Sequence, residues 1–416
     1  MQAKTSIRII VKTNNFLKRH LAGCNKWSRK VLLNLGLGII KSGSLQLSQI
    51  SRSIKYQNQD IQVVENSLSR HLKSKRWDEN TILKSYLIYL KPYIRQDTAI
   101  YIDLTDYAKP YAKKLEKISF VWDGSKKETV SGYWGFESIA DLGEGELMPL
   151  VNFPYYLGEP VSGYGFISQN TAIEHGFDWL VEFFGNKGIW IEDRGFDSNR
   201  NFRYKQEHQI KFITRLRRNR ILLDQENHSL GSVEDIAHKA ELNGRLYYNM
   251  TKQGRNEYLS VGSIRVRIPE VEGEYSLVIV RDDKKMCKYG GKTPKIGEEE
   301  NEWFIALITN LAIETENDEQ SVVRKFLKRW GVEDSCRFIK QELGTETFLV
   351  RGFRGIRRLI MLSYILMGLL CLIYQMGRKA IKYLEGIGDC FSKDIRFFYY
   401  RIIWGLRKVL TIMRPP

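Results

Sequence analysis

The alternation of apolar and polar positions changes character along the chain. Up to about residue 95, apolar residues recur three or four positions apart, which is typical of amphipathic helices. Between residues 98 and 218, short apolar runs end in turn residues and predict strands alternating with helices. Residues 219–312 are mostly strand-like and rich in turns, and helical spacing returns from about Ser321. This order predicts an α/β core that a β-rich module interrupts.

The same pattern divides the chain into five segments. We predict a mixed sheet with flanking helices as the central fold, preceded by an all-helical domain. The segments are a helical domain at 1–95, the first part of the core at 96–218, a β-rich insertion at 219–312, the second part of the core at 313–385, and a basic helical tail at 386–416.

Two short helices stand out in the first segment, at residues 44–54 and 62–77. Ser44 is a plausible N-cap of the first helix. The residues expected on the buried side are Ile50, Ile54, Val64 and Leu68. Four cations follow in the second helix: Arg70, Lys73, Lys75 and Arg76. The pair fits a helix-turn-helix with phosphate contacts, although helix pairs of this kind also occur without any ligand.

Two predicted strands of the core end in carboxylates. The run "AIYIDLTDY" (residues 99–107) contains Asp103, with Asp106 close by, and "WIEDRGFD" contains Asp193 and Asp197. Between them, "GEGE" (residues 143–146) predicts a hairpin turn and residues 168–184 predict a helix. An aspartate just past a strand end is most often a turn former or an N-cap, so each one alone carries little weight.

The stretch "FLKRWGVEDSCRFIKQEL" (residues 326–343) predicts one amphipathic helix. At roughly 100° per residue, Arg329, Glu333 and Lys340 share a face of this helix. The simplest interpretation is a solvated stripe with favourable Glu–Arg and Glu–Lys pairs. The alternative is functional: a carboxylate from a helix joins those of the two strand ends.

Three such carboxylates have the chemistry of a divalent-metal site. Two Mg²⁺ ions, roughly 3.5–4 Å apart, activate the attacking oxygen and stabilise the leaving oxygen of a phosphodiester. The five cysteines have no CxxC spacing and the six histidines form no metal-binding pattern. Hard oxygen ligands therefore favour Mg²⁺ or Mn²⁺ over Zn²⁺. Dispersed cysteines in odd number also predict reduced thiols and a cytoplasmic location.

The charge distribution predicts an anionic partner. The chain has 65 basic and 48 acidic residues, a net charge of +17. Residues 1–59 contain eleven Lys or Arg and no Asp or Glu. A second cluster, "RGFRGIRR", comprises Arg351, Arg354, Arg357 and Arg358. Such an excess costs stability by self-repulsion and is typical of proteins that bind nucleic acid or an acidic membrane.

One apolar segment raises the membrane alternative. Residues 359–376 run for 18 positions without a charge, which is long enough to be a transmembrane candidate. Cations flank the segment on both sides, so it lacks the asymmetry of a membrane span. A helix buried between a sheet and other helices shows the same composition, and we favour that interpretation. The N-terminus lacks the pattern of a signal peptide.

These motifs together resemble a known family. The spacing Phe326-x2-Arg329-x3-Glu333-x6-Lys340 is similar to the tyrosine–arginine–glutamate–lysine signature of bacterial insertion-sequence transposases of family four, which are DDE enzymes with an RNase H-like core. "YIDLTDYAKP" and "WIEDRGFD" resemble their first- and second-aspartate strands, and "WFIALITN" resembles the strand before their glutamate helix. Phe326 departs from the signature, since it keeps the aromatic ring and lacks the hydroxyl.

The resemblance implies the site and its partners. Asp103, Asp193 and Glu333 would be catalytic and would hold two Mg²⁺ ions, with Mn²⁺ as a substitute. The residues expected to bind DNA are Arg329, Lys340, Arg337, Arg194, Arg351 and Arg354. The chain would act as a homodimer on double-stranded DNA, both element ends and target, in the bacterial cytoplasm at the nucleoid. The alternatives are a regulator or nuclease that does not transpose and a membrane-anchored protein.

Overall fold

The computed structural model describes residues 2–54, 60–123, 126–143, 145–157, 168–250, 255–283, 303–388 and 397–412. The chain divides into two compact units. The first comprises Met1–Ile94, Leu104–Phe183 and Gly331–Pro416, and the second comprises Arg95–Asp103 and Phe184–Trp330. The fold is mixed α/β, compatible with the RNase H-like class that the resemblance implies.

The first unit begins with five helices. They are α1 (Gln2–His20), α2 (Lys26–Ser42), α3 (Leu47–Ile54), α4 (Ile61–Lys73) and α5 (Glu79–Leu90). Local sequence sets their ends: Asn25 accepts a hydrogen bond from the Ser28 N–H at 2.9 Å and caps α2, which ends at Gly43 in the left-handed conformation with φ of 63°. The predicted helix pair corresponds to α3 and α4, which pack on each other. Its turn lies outside the described residues.

Ser44 does not cap α3 as predicted. The helix begins at Leu47, and the Ser44 hydroxyl accepts a hydrogen bond from the Gln46 N–H at 3.1 Å, before the first helical residue. The expected buried side is otherwise largely present, because Ile50, Ile54 and Leu68 are buried. The burial of this face explains the apolar spacing without reference to a ligand.

An antiparallel sheet and a helix layer complete the first unit. The strands are β1 (Ala99–Ala108, from Leu104 onward in this unit), β2 (Ser119–Asp123), β3 (Glu128–Asp141) and β4 (Leu147–Tyr155). The predicted hairpin at "GEGE" is confirmed: β3 pairs with β4, and Gly143 and Gly145 have φ of 100° and 82°, which suit glycine. The helix predicted after it is α6 (Gln169–Phe184).

The second unit is built on strands that pair in the order β1-β5-β6-β12-β11-β10-β9. Its elements are β5 (Ile189–Glu192), α7 (Asn199–Glu207), β6 (Lys211–Arg215), β7 (Ile221–Leu223), β8 (Ser229–Ser232), α8 (Val233–Lys239), β9 (Gly244–Met250), β10 (Arg255–Val266), β11 (Tyr275–Arg281), β12 (Phe304–Thr309) and α9 (Glu316–Leu327). Pairing is parallel between β1, β5 and β6 and antiparallel from β6 to β9.

The β-rich segment at 219–312 was expected to be a smaller module that interrupts the core. Its described strands β9 to β12 belong to the same sheet and the same compact unit as β5 and β6. β12 pairs with β6, and β11, β10 and β9 follow it edge to edge in the same compact unit. Strand patterning predicts the strands correctly but carries no information on which neighbour each one pairs with. Continuous backbone hydrogen bonding therefore makes this segment an extension of the sheet.

The predicted single helix at residues 326–343 is two helices. α9 ends at Leu327, and α10 spans Trp330–Glu342. The Arg329 N–H donates to the Phe326 carbonyl at 2.9 Å, an i to i−3 bond that closes the end of α9 tightly. Arg329 therefore lies in the turn between the helices, and the expectation that it shares a helical face with Glu333 and Lys340 is wrong.

The long apolar segment forms α11 (Phe353–Tyr374), in the first unit. The helix is long and apolar enough to cross a membrane, and its most apolar 18-residue stretch has a mean hydropathy of 2.0. Of that stretch, 94% is buried inside the protein. It packs on β4 and on α1, α2, α4 and α5. This environment favours the core-helix interpretation.

The predicted basic tail belongs to the first unit. Its described helices are α12 (Arg378–Ile387) and α13 (Tyr399–Ile412), which pack on each other. The Tyr399 hydroxyl donates to the Leu147 carbonyl at 2.9 Å, and the Arg407 Nε donates to the Ile40 carbonyl at 2.9 Å. Buried Ile402, Ile403 and Leu406 show that α13 contributes to the core.

Candidate functional site

The second unit brings Asp103 and Asp193 to one edge of its sheet. β1 and β5 are parallel neighbours, and their last paired positions are Ile102 and Glu192. Each aspartate is the next residue along its strand. Because the carboxyl ends of parallel strands meet at one sheet edge, the two side chains come together there. Asp193 follows the end of β5 as predicted, whereas β1 continues past Asp103 to Ala108.

Arg329 lies between the two carboxylates. Its Nη1 is 2.9 Å from Asp103 Oδ2 and its Nη2 is 3.5 Å from Asp193 Oδ2. Arg329 is 6% exposed, whereas the Asp103 and Asp193 side chains are 28% and 30% exposed. Arg215 approaches Asp193 Oδ1 at 3.7 Å. The Asp193 Oδ1 also accepts a hydrogen bond from the Arg194 N–H at 2.7 Å, which fixes the rotamer of this side chain.

The donor set fits a hard divalent cation. Two carboxylate oxygens from separate strands converge on one positive group and stay partly open to solvent. Carboxylate oxygens are the ligands that Mg²⁺ and Mn²⁺ prefer. The arrangement therefore provides two ligands on a rigid sheet edge, and the cation between them in this structure is a guanidinium.

A buried polar cluster supports the end of β5. Lys205 contacts the Glu192 carboxylate, and Thr214 donates to Glu192 Oε2 at 2.6 Å. Lys205 also donates to Thr214 Oγ1 at 3.0 Å, and burial lowers the pKa of Lys205. Charged groups this deep are retained only when they are paired. In the sequence, a charged Glu192 within an otherwise apolar strand indicates such a cluster, and the sequence interpretation did not use this observation.

Asp197, the alternative second aspartate, is buried and paired with cationic residues. It is 3% exposed, accepts a hydrogen bond from the Arg217 N–H at 2.8 Å and pairs with Arg220 at 3.0 Å. Burial raises the pKa of Asp197 despite these partners. Asp193 is therefore the more accessible of the two carboxylates.

Glu333 and Lys340 lie on α10 in the first unit. Glu333 is exposed, and its carboxylate has no ion pair with another described residue. Lys340 pairs with Glu346 at 2.9 Å and with Asp106 at 3.5 Å. Burial lowers the pKa of Lys340, but Glu346 and Asp106 more than offset this and raise it above the usual value. The metal role of Glu333 and the phosphate contact of Lys340 stay predictions.

A buried carboxylate anchors the same helix. Glu137 on β3 is 1% exposed, and burial raises its pKa. Its Oε1 accepts from the Cys336 Sγ of α10 at 2.6 Å, and its other oxygen contacts the Tyr364 hydroxyl of α11. The sequence interpretation missed this contact, which fixes the helix that carries Glu333.

The remaining predicted DNA-binding residues differ in exposure. Arg337 is exposed and pairs with Asp334 at 3.1 Å, three residues earlier on α10. Arg351 and Arg354 are exposed, and Arg194 is half-buried beside Asp193. Their contacts with DNA stay predictions.

The "RGFRGIRR" cluster does not act as one surface. Arg357 contacts Glu79, and Arg358 is only 2% exposed, with its Nε 2.9 Å from Glu79 Oε2. The charge pattern predicts that all four arginines bind an anionic partner, and this is wrong for the buried Arg358. Arg357 and Arg358 therefore stabilise the first unit through their contacts with Glu79.

A basic groove runs along α1. It has a volume of about 660 Å³, and its lining includes the cations Arg8, Lys12 and Arg19 and the ring of Tyr89. Burial lowers the pKa of Lys12. No Asp or Glu lines the groove among the described residues. The groove thus offers positive charge and an aromatic face together, a combination that nucleic-acid-binding surfaces use.

An acidic cluster lies on the turn between β7 and β8. The ligand atoms of Asp224, Glu226 and His228 lie within 4.8 Å of one another. The Asp224 Oδ1 accepts from the N–H groups of Glu226 and His228 at 2.9 and 2.8 Å. These bonds form a local turn, which accounts for the proximity without an ion.

Comparison with known proteins adds one finding on the family. Residues 168–369 match the family model described as a transposase DDE domain. The matched range contains Asp193, Arg329, Glu333 and Lys340, and it begins after Asp103. A search of the curated proteins finds no match to the chain. The family match supports a DDE transposase, a class of metal-dependent enzyme that cleaves DNA.

Proposed function

We propose that the chain is a transposase of insertion-sequence family four that binds the terminal inverted repeats of its own element. It would cleave at the ends and join the freed 3′-hydroxyl to target DNA. The observation that carries the proposal is the convergence of Asp103 and Asp193 at one sheet edge, on a chain that matches a transposase DDE domain.

In this proposal Asp103, Asp193 and Glu333 hold Mg²⁺ or Mn²⁺. When bound, the ions supply activation of the attacking oxygen and stabilisation of the leaving oxygen. The pairing of β1 with β5 fixes the spacing of the aspartates, and the Arg194 N–H orients the Asp193 carboxylate. The Cys336–Glu137 contact orients the helix that carries Glu333.

The cations of the chain supply the DNA contacts. Exposed Arg337, Arg351 and Arg354 would bind phosphates, and Lys340 would exchange Glu346 for a phosphate oxygen. The groove along α1 would bind the backbone of the end DNA. Each phosphate contact also releases condensed counterions, which gives the affinity a steep dependence on salt. Two ends must be held together, so we expect a homodimer on DNA in the bacterial cytoplasm.

One observation favours a second candidate, a DNA-binding regulator or a nuclease that does not transpose. Arg329 neutralises both aspartates in this structure. A chain that never released this pair would bind DNA without cutting it. The difference between the two candidates is therefore cleavage, not binding.

The test is an assay on duplexes that contain the DNA flanking the gene, with the full-length protein in Mg²⁺ or in EDTA. The expected result is a cut that leaves a 3′-hydroxyl at the element end in Mg²⁺ alone. Arg8→Glu with Lys12→Glu should weaken binding and reduce the slope of log affinity against log salt by roughly 0.9 per lost contact. The exposed Lys26→Glu on α2 is the matched control and should retain that slope. Binding without cutting, in Mg²⁺ and in Mn²⁺, would favour the regulator.

A further inference from the structure

We propose that Arg329 is an internal counter-ion of the aspartate pair, which it leaves when a DNA phosphate binds it. Metal loading would then be coupled to DNA binding. The inference rests on the proposed function, because it assumes that the pair takes a divalent ion. It assigns to Arg329 a task that neither a fixed structural arginine nor a simple phosphate contact would have.

The geometry places one guanidinium on two carboxylates. The two terminal nitrogens of Arg329 reach different aspartates, at 2.9 Å and 3.5 Å. The planar fork of arginine suits such double contact, which a lysine point charge does not. The Nε of Arg329 is buried and has no hydrogen-bond partner among the described residues. The two aspartates therefore accept from the terminal nitrogens of the guanidinium and leave the hydrogen-bonding capacity of its Nε unused.

Electrostatics makes the guanidinium and a divalent ion competitors. Two carboxylates on adjacent strands repel each other, and a cation between them relieves that repulsion. Arg329 provides this charge in the absence of metal, and a metal ion would provide it instead. Two cations cannot share the position, because each repels the other at contact distance. Metal binding therefore requires Arg329 to move, and its charge lowers the metal affinity of the free protein.

DNA offers Arg329 another acceptor. A phosphate diester accepts hydrogen bonds from a guanidinium as well as a carboxylate does. Arg329 lies in the short turn after α9, so its side chain is carried by backbone outside a helix. The partly exposed aspartates show that the position is open to a ligand. By linkage, DNA that takes Arg329 raises metal affinity, and metal raises DNA affinity by the same factor.

The test measures Mn²⁺ affinity by paramagnetic resonance, with and without a duplex that contains the DNA flanking the gene. For the wild-type chain we expect DNA to tighten Mn²⁺ binding at least about tenfold, within the usual range of coupling between sites. Arg329→Gln should bind Mn²⁺ without DNA as tightly as the wild type binds it with DNA, and DNA should then add little.

Arg215→Gln is the matched control. It removes the same charge beside Asp193, from a residue whose Nη1 lies 3.7 Å from Asp193 Oδ1. This variant should retain most of the effect of DNA on Mn²⁺ affinity. Arg329→Lys keeps the charge and loses the fork, so its metal affinity should lie between those of the wild type and Arg329→Gln. Arg329→Lys also provides the test of the counter-ion role if Arg329→Gln does not fold.

Two outcomes contradict different statements. If Arg329→Gln and Arg329→Lys show the wild-type Mn²⁺ affinity and the wild-type response to DNA, the counter-ion role is wrong and the metal site stands. If no protein binds Mn²⁺ with or without DNA, the metal site itself is wrong, and the proposed function fails with it.

Discussion

Asp103→Asn, Asp193→Asn and Glu333→Gln are each expected to abolish strand cleavage while leaving the affinity for the end DNA nearly unchanged. Each change removes one anionic ligand and keeps the size of the side chain, so no cavity forms. Metal ions stabilise the transition state by several kcal/mol. Losing this stabilisation lowers the cleavage rate by roughly a thousandfold or more. Cleavage rates and DNA affinities, measured on the same protein preparations, give the comparison.

Isosteric changes in two other acidic residues serve as controls. Asp224→Asn lies in the acidic turn between β7 and β8, and Asp334→Asn is next to Glu333 on α10. Both should cleave at the wild-type rate. A variant of the first set that cleaves near that rate in Mg²⁺ would remove its residue from the site. Asp106 and Asp197 would be the next candidates, although both have cationic partners in this structure.

Glu79→Gln is expected to destabilise the protein strongly. Arg358 is 2% exposed, lies 3.8 Å over the Trp77 ring and pairs with Glu79 at 2.9 Å. It also donates to the carbonyls of Leu72, Ser74 and Trp77. Removing the carboxylate leaves the buried guanidinium without its counter-charge, and breaking a buried ion pair costs about 3–5 kcal/mol. Denaturant unfolding of both proteins measures the loss.

The same contact predicts a pH dependence. Burial raises the pKa of Glu79, but Arg357 and Arg358 outweigh it, so the pKa in the folded protein lies below the usual value of 4.5. The contribution of the ionised carboxylate is therefore fully present above the unfolded pKa and is lost as the pH falls through the folded pKa. The difference in the free energy of unfolding between the wild type and Glu79→Gln should therefore become smaller below about pH 4.

The exposed pair Lys84–Glu182 provides the control for this prediction. Its atoms are also 2.9 Å apart, but the side chains are 47% and 51% exposed. Glu182→Gln should cost at most about 1 kcal/mol, because water screens the pair. Equal losses in Glu79→Gln and Glu182→Gln would show that burial does not determine the strength of the Arg358 contact.

The sequence predicts the elements of the fold better than their pairing. The hairpin at residues 143–146 has a local cause, since two glycines adopt positive φ there, and it is confirmed. The strands at 244–309 were expected, but the pairing of β12 with β6 depends on hydrogen bonds between segments far apart in the chain. Periodicity describes one segment at a time, so it does not predict which strands pair with one another.

The site shows the same limit. Residue type and strand-end position were enough to indicate Asp103 and Asp193, because parallel neighbours bring their ends together. The position of Arg329 between the two aspartates depends on the break between α9 and α10, which helical spacing did not predict. Arg358 and Arg351 look equivalent in the sequence, and only their partners distinguish a buried structural cation from an exposed one.

A metal-specificity switch at Asp193 tests most directly whether this aspartate holds the ion that cleaves DNA. Asp193→Cys replaces a hard oxygen ligand with a thiolate, which binds Zn²⁺ far better than Mg²⁺. We predict that this variant does not cleave the end DNA in Mg²⁺ and regains cleavage when Zn²⁺ is added, whereas the wild type and Asp224→Cys show no such gain. Asp193→Cys with the same response to the two metals as the wild type would contradict the account.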